Sequence, residues 1–209
     1  MSYDGLNMWN NWSKSRKGKP VYDKWLDEYE DVLKENKENV IVDLGAGIGA
    51  NTLYLMERGY RVLSCDYAIE ALMNIHDHIK DSYIQHLDMR SPFPFDDQSL
   101  SVMIADISLH YFDDSTTLRI MKEIKRVLKE DGVLLARVSR YDDMSYHGKQ
   151  IEENYYDMGS YAQRYFTVHD IKKYFGIIGS ISYQETTMVR DEPFYSYPKY
   201  LYQIKVKKG

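Results

Sequence analysis

Apolar positions along the chain change period several times, and each change marks an element. Over residues 21–34, Trp25, Tyr29, Val32 and Leu33 fall at helical spacing behind Pro20, which predicts an amphipathic helix. Val40-Ile41-Val42 is a short continuous apolar run, the pattern of a buried strand, and it ends in a glycine-rich turn. From there the two periods alternate. Residues 51–58 predict a helix stopped at Gly59, residues 61–66 a strand, and residues 68–80 a helix. Residues 83–88 and 101–106 predict strands. Residues 116–129 carry Leu118, Met121, Ile124, Val127 and Leu128 as a helical stripe, and Asp131-Gly132 turns the chain into a strand over residues 133–138. Thr167-Val168-His169-Asp170 is spaced as a capping box for a short helix ending near Phe175.

Strands alternating with helices imply parallel units joined by right-handed crossovers. The last two strands, near residues 180–188 and 199–206, follow one another without a helix, which predicts an antiparallel hairpin at the sheet edge. A loop containing Pro193 and Pro198 separates them. The fold expected is α/β and Rossmann-like, a mostly parallel seven-stranded sheet with an antiparallel C-terminal hairpin and helices on both faces. Residues 140–166 are polar and tyrosine-rich without a clear period, as expected of an insertion or lid. Residues 1–38 are expected to form a helical cap over the substrate, and residues 39–209 the main domain.

Length and composition narrow the class. A chain of 209 residues suits one domain with a modest cap, and 44% apolar with 28% charged residues is the mix of a globular protein. The net charge of −5 provides no basic field for nucleic acid or an anionic membrane. The run Lys14 to Lys19 reads as a solvated face. No apolar run approaches the roughly 20 residues that span a bilayer, and Met1 to Gly5 has no signal pattern, so a cytoplasmic protein is expected. One cysteine, Cys65, excludes an internal disulfide and a thiolate metal cluster. Asp113 and Asp114 are placed at a helix start, and the histidines lack ligand spacing, so no metal is expected.

The chemistry concentrates in Asp43-Leu44-Gly45-Ala46-Gly47-Ile48-Gly49, between the first strand and a helix. Glycines there let the backbone turn tightly and approach a ligand at the carboxyl ends of parallel strands. Asp66, 17 residues beyond Gly49, ends the next strand, where a carboxylate can accept from both hydroxyls of a ribose. Gly45-x-Gly47-x-x-Ala50 also satisfies the dinucleotide fingerprint, so an NAD-dependent oxidoreductase stays open on the glycines alone. Asp43 bears on the choice: a carboxylate two places before the first glycine suits a cationic ligand and repels a pyrophosphate.

From about Val40 to Arg137 the chain resembles the class I S-adenosylmethionine-dependent methyltransferases of the type 11 variety. The resemblance rests on the glycine turn, Asp66, Leu87-Asp88-Met89 with the Pro92 to Asp97 segment, Ile104 to Tyr111, and Glu123 to Leu135. It implies S-adenosylmethionine as cofactor and S-adenosylhomocysteine as product. In this resemblance Gly45, Ala46, Gly47 and Gly49 form the turn against the methionine moiety, Asp43 holds its cationic end, and Asp66 holds the ribose. Tyr67 packs near the ribose or adenine, Asp88 faces the adenine amino group, Met89 packs beside it, and Ala105 or Asp106 serves the amino acid end.

Methyl transfer from a sulfonium is an in-line displacement that mainly requires alignment, with a base only where the acceptor must lose a proton. His110 and Tyr111, after the fourth strand, are the catalytic candidates. Trp9, Trp12, Tyr22, Tyr141, Tyr155, Tyr156 and Arg164 are the substrate-wall candidates. Nucleic-acid amino-methyltransferases carry a Pro-Pro-aromatic motif where this chain has Asp106-Ile107-Ser108-Leu109, so a small-molecule acceptor is expected. A non-catalytic protein binding the methyl donor or its product is the alternative. The sequence does not fix the oligomeric state.

Overall fold

The computed structural model describes residues 5–16, 18–143, 148–189 and 198–209. Lys17 of the basic run and Pro193 of the hairpin loop lie outside them. The apolar run becomes β1 (Val40–Leu44), and the alternation continues through α3 (Ala50–Met56), β2 (Arg61–Asp66), α4 (Ile69–His78) and β3 (Tyr83–His86). Before β1 come α1 (Leu6–Lys14), a 3-10 turn (Trp25–Tyr29) and α2 (Glu30–Glu35). After β3 come β4 (Leu100–Asp106), a 3-10 turn (Leu109–Tyr111), α5 (Asp114–Val127) and β5 (Leu128–Ser139). The chain then forms β6 (Lys149–Glu152), β7 (Tyr155–Asp157), β8 (Ala162–Arg164), α6 (Val168–Phe175), β9 (Gly179–Met188) and β10 (Lys199–Lys208).

Seven strands make one sheet in the order β3-β2-β1-β4-β5-β10-β9. The first five are parallel, and β10 runs antiparallel to both β5 and β9, as the hairpin pattern predicts. Alternation along each strand sorts side chains to opposite faces. Val42, Leu44, Met103, Ala105, Leu134 and Ala136 pack with Ile120, Ile124, Ile171 and Phe175 of α5 and α6. Ile41, Val62, Val102, Ile104 and Leu135 pack on the other face with Trp25, Leu33, Tyr54 and Leu55. Helices therefore cover both faces.

Helix ends follow local chemistry. Asp113 caps α5 by accepting from Thr116 N at 2.7 Å. Thr167 and Asp170 close the expected capping box around the start of α6. Two regions depart from the sequence reading. Residues 21–24 are not helical, because Tyr22 and Asp23 are drawn into side-chain bonds across the fold (Tyr22 Oη to Glu57, Asp23 to Arg137). Tertiary partners override the helical period there. Residues 140–166 are not one irregular segment: β6, β7 and β8 form a separate antiparallel sheet. Strands of three or four residues are too short to show alternation.

Candidate functional site

The turn after β1 is shaped by its glycines. Gly45 has φ +75° and Gly47 φ +54°, the left-handed region that favours glycine. A side chain at Gly45 would collide with Ser108, whose hydroxyl donates to Leu44 O at 2.8 Å. At Gly47 nothing lies within 4 Å of the vacant Cβ position, so the backbone there stands open to a ligand. Asp66 locks the turn: its Oδ2 accepts from Gly47 N and its Oδ1 from Ala68 N, each at 2.8 Å. Burial pushes the Asp66 carboxyl upward, and those amides pull the other way. A carboxylate has about four acceptor directions, and with the Tyr67 amide as a third backbone partner, capacity remains for a ligand hydroxyl.

The turn opens on a cavity of about 510 Å³, within the range of small-molecule sites. Gly45, Ala46, Gly47, Asp66, Tyr67, Asp88, Met89 and Asp106 line it, as do Trp9, Trp12, Tyr111 and Tyr155. Among the described residues its acids are Asp66, Asp88, Asp106, Asp113 and Glu152, against Arg90 and Lys199 as bases. The excess of carboxylates suits a cationic ligand. At the far end Trp9 meets Tyr111 edge-on at 4.7 Å and Tyr161 at 6.0 Å, and Tyr111 meets Tyr161 at 5.8 Å. Tyr155 fixes this wall by donating to Tyr111 O at 3.2 Å.

Other expected residues sit elsewhere. Asp43 lies under the turn with no exposure, outside the cavity wall. Its Oδ2 accepts from Thr52 Oγ1 at 2.8 Å, and its Oδ1 is buried without a hydrogen-bond partner. Burial raises its pKa to about 7, with Asp106 and Asp66 adding to the rise. Asp43 thus does not reach a ligand by contact in this geometry, and with its pKa raised to about 7 it is only partly charged at neutral pH. Gly49 faces Ile75 of α4 and Ile79 just after it, and Ala105 packs in the core. Asp88 is engaged by Arg90 through bonds of 2.9, 3.1 and 2.9 Å, and the guanidinium lies over Tyr67. Burial would raise the Asp88 carboxyl, and Arg90 holds it below its ordinary value.

His110 is fully buried, 3.4 Å from Ser139 N and Oγ, and lines no part of the cavity. Burial, with Lys199 nearby, lowers its pKa to about 3, so the imidazole is neutral and out of reach of an acceptor. The expectation of a base at His110 is not met, because the 3-10 turn points Tyr111 into the cavity and His110 into the core. Tyr22 donates to Glu57 Oε2 at 2.6 Å, Tyr156 packs on Tyr165, and Tyr141 is exposed. Arg164 is 2% exposed and donates to Glu153 O at 2.9 Å, which ties β8 to the chain between β6 and β7.

Sequence reasoning missed Asn51, Arg90, Ser108, Tyr161 and Lys199, all on the cavity wall. It also missed Arg137, which joins Asp106 to Asp23 beneath the floor. A lone arginine in an otherwise apolar strand was the available signal, since a buried charge requires partners.

Residues 42–136 match the family model described as a methyltransferase domain. YqeM of Bacillus subtilis (strain 168), named as a methyltransferase, is 33% identical over 119 residues, covering 54% of this chain and 47% of its own length. The tRNA N(3)-cytidine methyltransferase METTL2 of Gallus gallus is 26% identical over 157 residues, 68% of this chain and 42% of its own. The chain spans about half the length of the curated relatives it matches. A solved structure of a SAM-dependent methyltransferase from Methanosarcina mazei shares the fold, with TM-score 0.74 at 19% identity over 90% of this chain and 99% of that one.

Proposed function

We propose that this chain, whose residues 42–136 match the model of a methyltransferase domain, transfers a methyl group from S-adenosylmethionine to a small-molecule acceptor. The observation that carries the reading is the joining of two ends in one cavity. The glycine turn with Asp66 forms one end, and the aromatic wall of Trp9, Tyr111 and Tyr161 forms the other.

The residues present fit the cofactor. Asp66 retains acceptor capacity for a ribose hydroxyl, the open position above Gly47 admits close backbone approach, and Tyr67 and Met89 offer apolar surface to the base. Asp106 and Asn51, both on the cavity wall, would hold the ammonium group. When bound, S-adenosylmethionine supplies a methyl group on a positively charged sulfur. The chain's own task is to hold the acceptor in line and to exclude water. Trp9 and Trp12 of α1 cover the cavity and serve that exclusion. Tyr111, on the wall that carries Trp9 and Tyr161, orients the acceptor.

With His110 neutral and withdrawn, the acceptor best suited is one whose attacking atom needs no buried histidine base. METTL2's name gives tRNA as its acceptor, but here the cavity's acidic lining and the chain's net charge of −5 disfavour a polyanion. Among the described residues no helix is long and apolar enough to cross a membrane. The test is calorimetric titration with S-adenosylmethionine, S-adenosylhomocysteine and NAD in parallel. Micromolar binding of the first two and none of the third is expected, and NAD binding would overturn the reading.

A further inference from the structure

Within its buried run β5 carries one guanidinium. Arg137 is 2% exposed, and it is held from two sides. Its Nε and Nη2 donate to Asp106 Oδ1 and Oδ2 at 2.7 and 2.8 Å. Its Nη1 and Nη2 donate to Asp23 Oδ2 and Oδ1 at 2.8 and 3.3 Å, across 114 positions of sequence. The guanidinium lies 4.7 Å over the Trp25 ring, and Trp25 Nε1 donates to Asn51 Oδ1 at 2.9 Å. Asn51 Nδ2 closes the circuit by donating to Asp106 Oδ2 at 3.3 Å. Only Asp106 and Asn51 of this group face the cavity.

We propose that Asp23 and Arg137 are positioning residues for the amino acid end of the methyl donor, joining the N-terminal segment to the cofactor site through Asp106. The inference rests on the reading that the cavity takes S-adenosylmethionine. An apolar side chain at position 137 would fill the strand without desolvating three charges. What the arginine adds is orientation: a bidentate fork admits one arrangement of Asp106. Within this group two carboxylates meet one guanidinium, an excess of negative charge that favours an ammonium group beside Asp106 on the cavity wall. Asp23 supplies that excess charge. It comes from the stretch that leaves the helical period over residues 21–24, so the same contact orders the cap and polarises the site.

Calorimetry with two ligands separates this role from general support of the fold. S-adenosylhomocysteine carries the amino acid end, and 5′-methylthioadenosine keeps the adenosine thioether without it. The Asp23→Asn variant, nearly isosteric at a side chain 20% exposed, is expected to weaken S-adenosylhomocysteine about tenfold while leaving 5′-methylthioadenosine unchanged. Arg137→Lys keeps the charge but loses the fork, and the same selective loss is expected. Should it not fold, Asp23→Asn alone decides. Equal weakening of both ligands, or no change in either, overturns the inference. Wild-type protein that binds neither ligand overturns the underlying reading, and the inference with it. Wild-type protein that binds both equally overturns the inference alone.

Discussion

A carboxylic acid deprived of water keeps its proton into neutral pH, and Asp43 is placed in that way beneath the glycine turn. Its pKa rises from 3.8 to about 7, so between those values the unfolded chain releases a proton that the folded chain retains. This group therefore lowers stability as pH rises through that window. His110 acts oppositely: with its pKa lowered from 6.5 to about 3, the unfolded chain takes up a proton that the folded chain refuses, and stability falls as pH drops through that window. Relative to wild type, Asp43→Asn should gain stability with rising pH between about 4 and 7, and His110→Gln should lose it between about 3 and 6.5, each by about 1.4 kcal/mol per pH unit at most. Denaturant titrations at pH 4.5, 5.5 and 6.5 measure both slopes, and parallel curves would refute the burial argument. At the cavity wall, Asp66→Ala should cost on the order of 2 kcal/mol in S-adenosylhomocysteine affinity, since a carboxylate shared by a ribose hydroxyl and the turn is lost. Unchanged affinity in the calorimeter would put the ribose elsewhere.

Elements held by local rules were readable before any coordinates. The stop at Gly59, the capping box of Thr167 and Asp170, and the strand over Arg61–Asp66 all depend on residues within a few positions of each other. Asp113 belongs to this set. Asp113→Ala should destabilise α5 by about 1 kcal/mol, seen as a lower urea midpoint with an unchanged slope. No shift would mean that a neighbour takes over the cap. Of the cofactor half, the turn, Asp66 and the Asp88 region were placed in the cavity by sequence, because β1, β2 and β3 bring their carboxyl ends to one edge. The Arg90 pairing that occupies Asp88 was not readable, nor was the direction in which His110 and Tyr111 part. Both turn on side-chain orientation in short connections. The small sheet β6-β7-β8 was hidden for a related reason: its order comes from Arg164 and from contact with the 3-10 turn at Leu109–Tyr111, not from a periodic pattern of its own.

Across the molecule, α1 lies on α4 and reaches the cavity with Trp9 and Trp12, anchored by Lys14–Glu70 at 3.2 Å and by Glu70 N donating to Asn10 Oδ1 at 3.2 Å. The ion pair is at the surface, where it contributes under about 1 kcal/mol, and the Asn10 bond is half-buried, so the helix should open more readily than the sheet. A ligand that fills the cavity beneath it should hold it down. Saturating S-adenosylhomocysteine is expected to slow tryptic cleavage after Lys14 and Arg16, read by mass spectrometry, and equal rates with and without ligand would show that α1 moves independently of the cavity. The aromatic wall has a further property in its origins along the chain. Trp9, Trp12, Tyr155 and Tyr161 all lie outside residues 42–136, whereas the glycine turn, Asp66 and Asp106 lie inside. Most of the aromatic wall is thus encoded apart from the turn, although Tyr111 lies within residues 42–136. On the proposed function, acceptor preference can drift, or be grafted from another scaffold, by exchanging α1 and the β6-β7-β8 insert, provided that Asp23 is kept for its contact with Arg137.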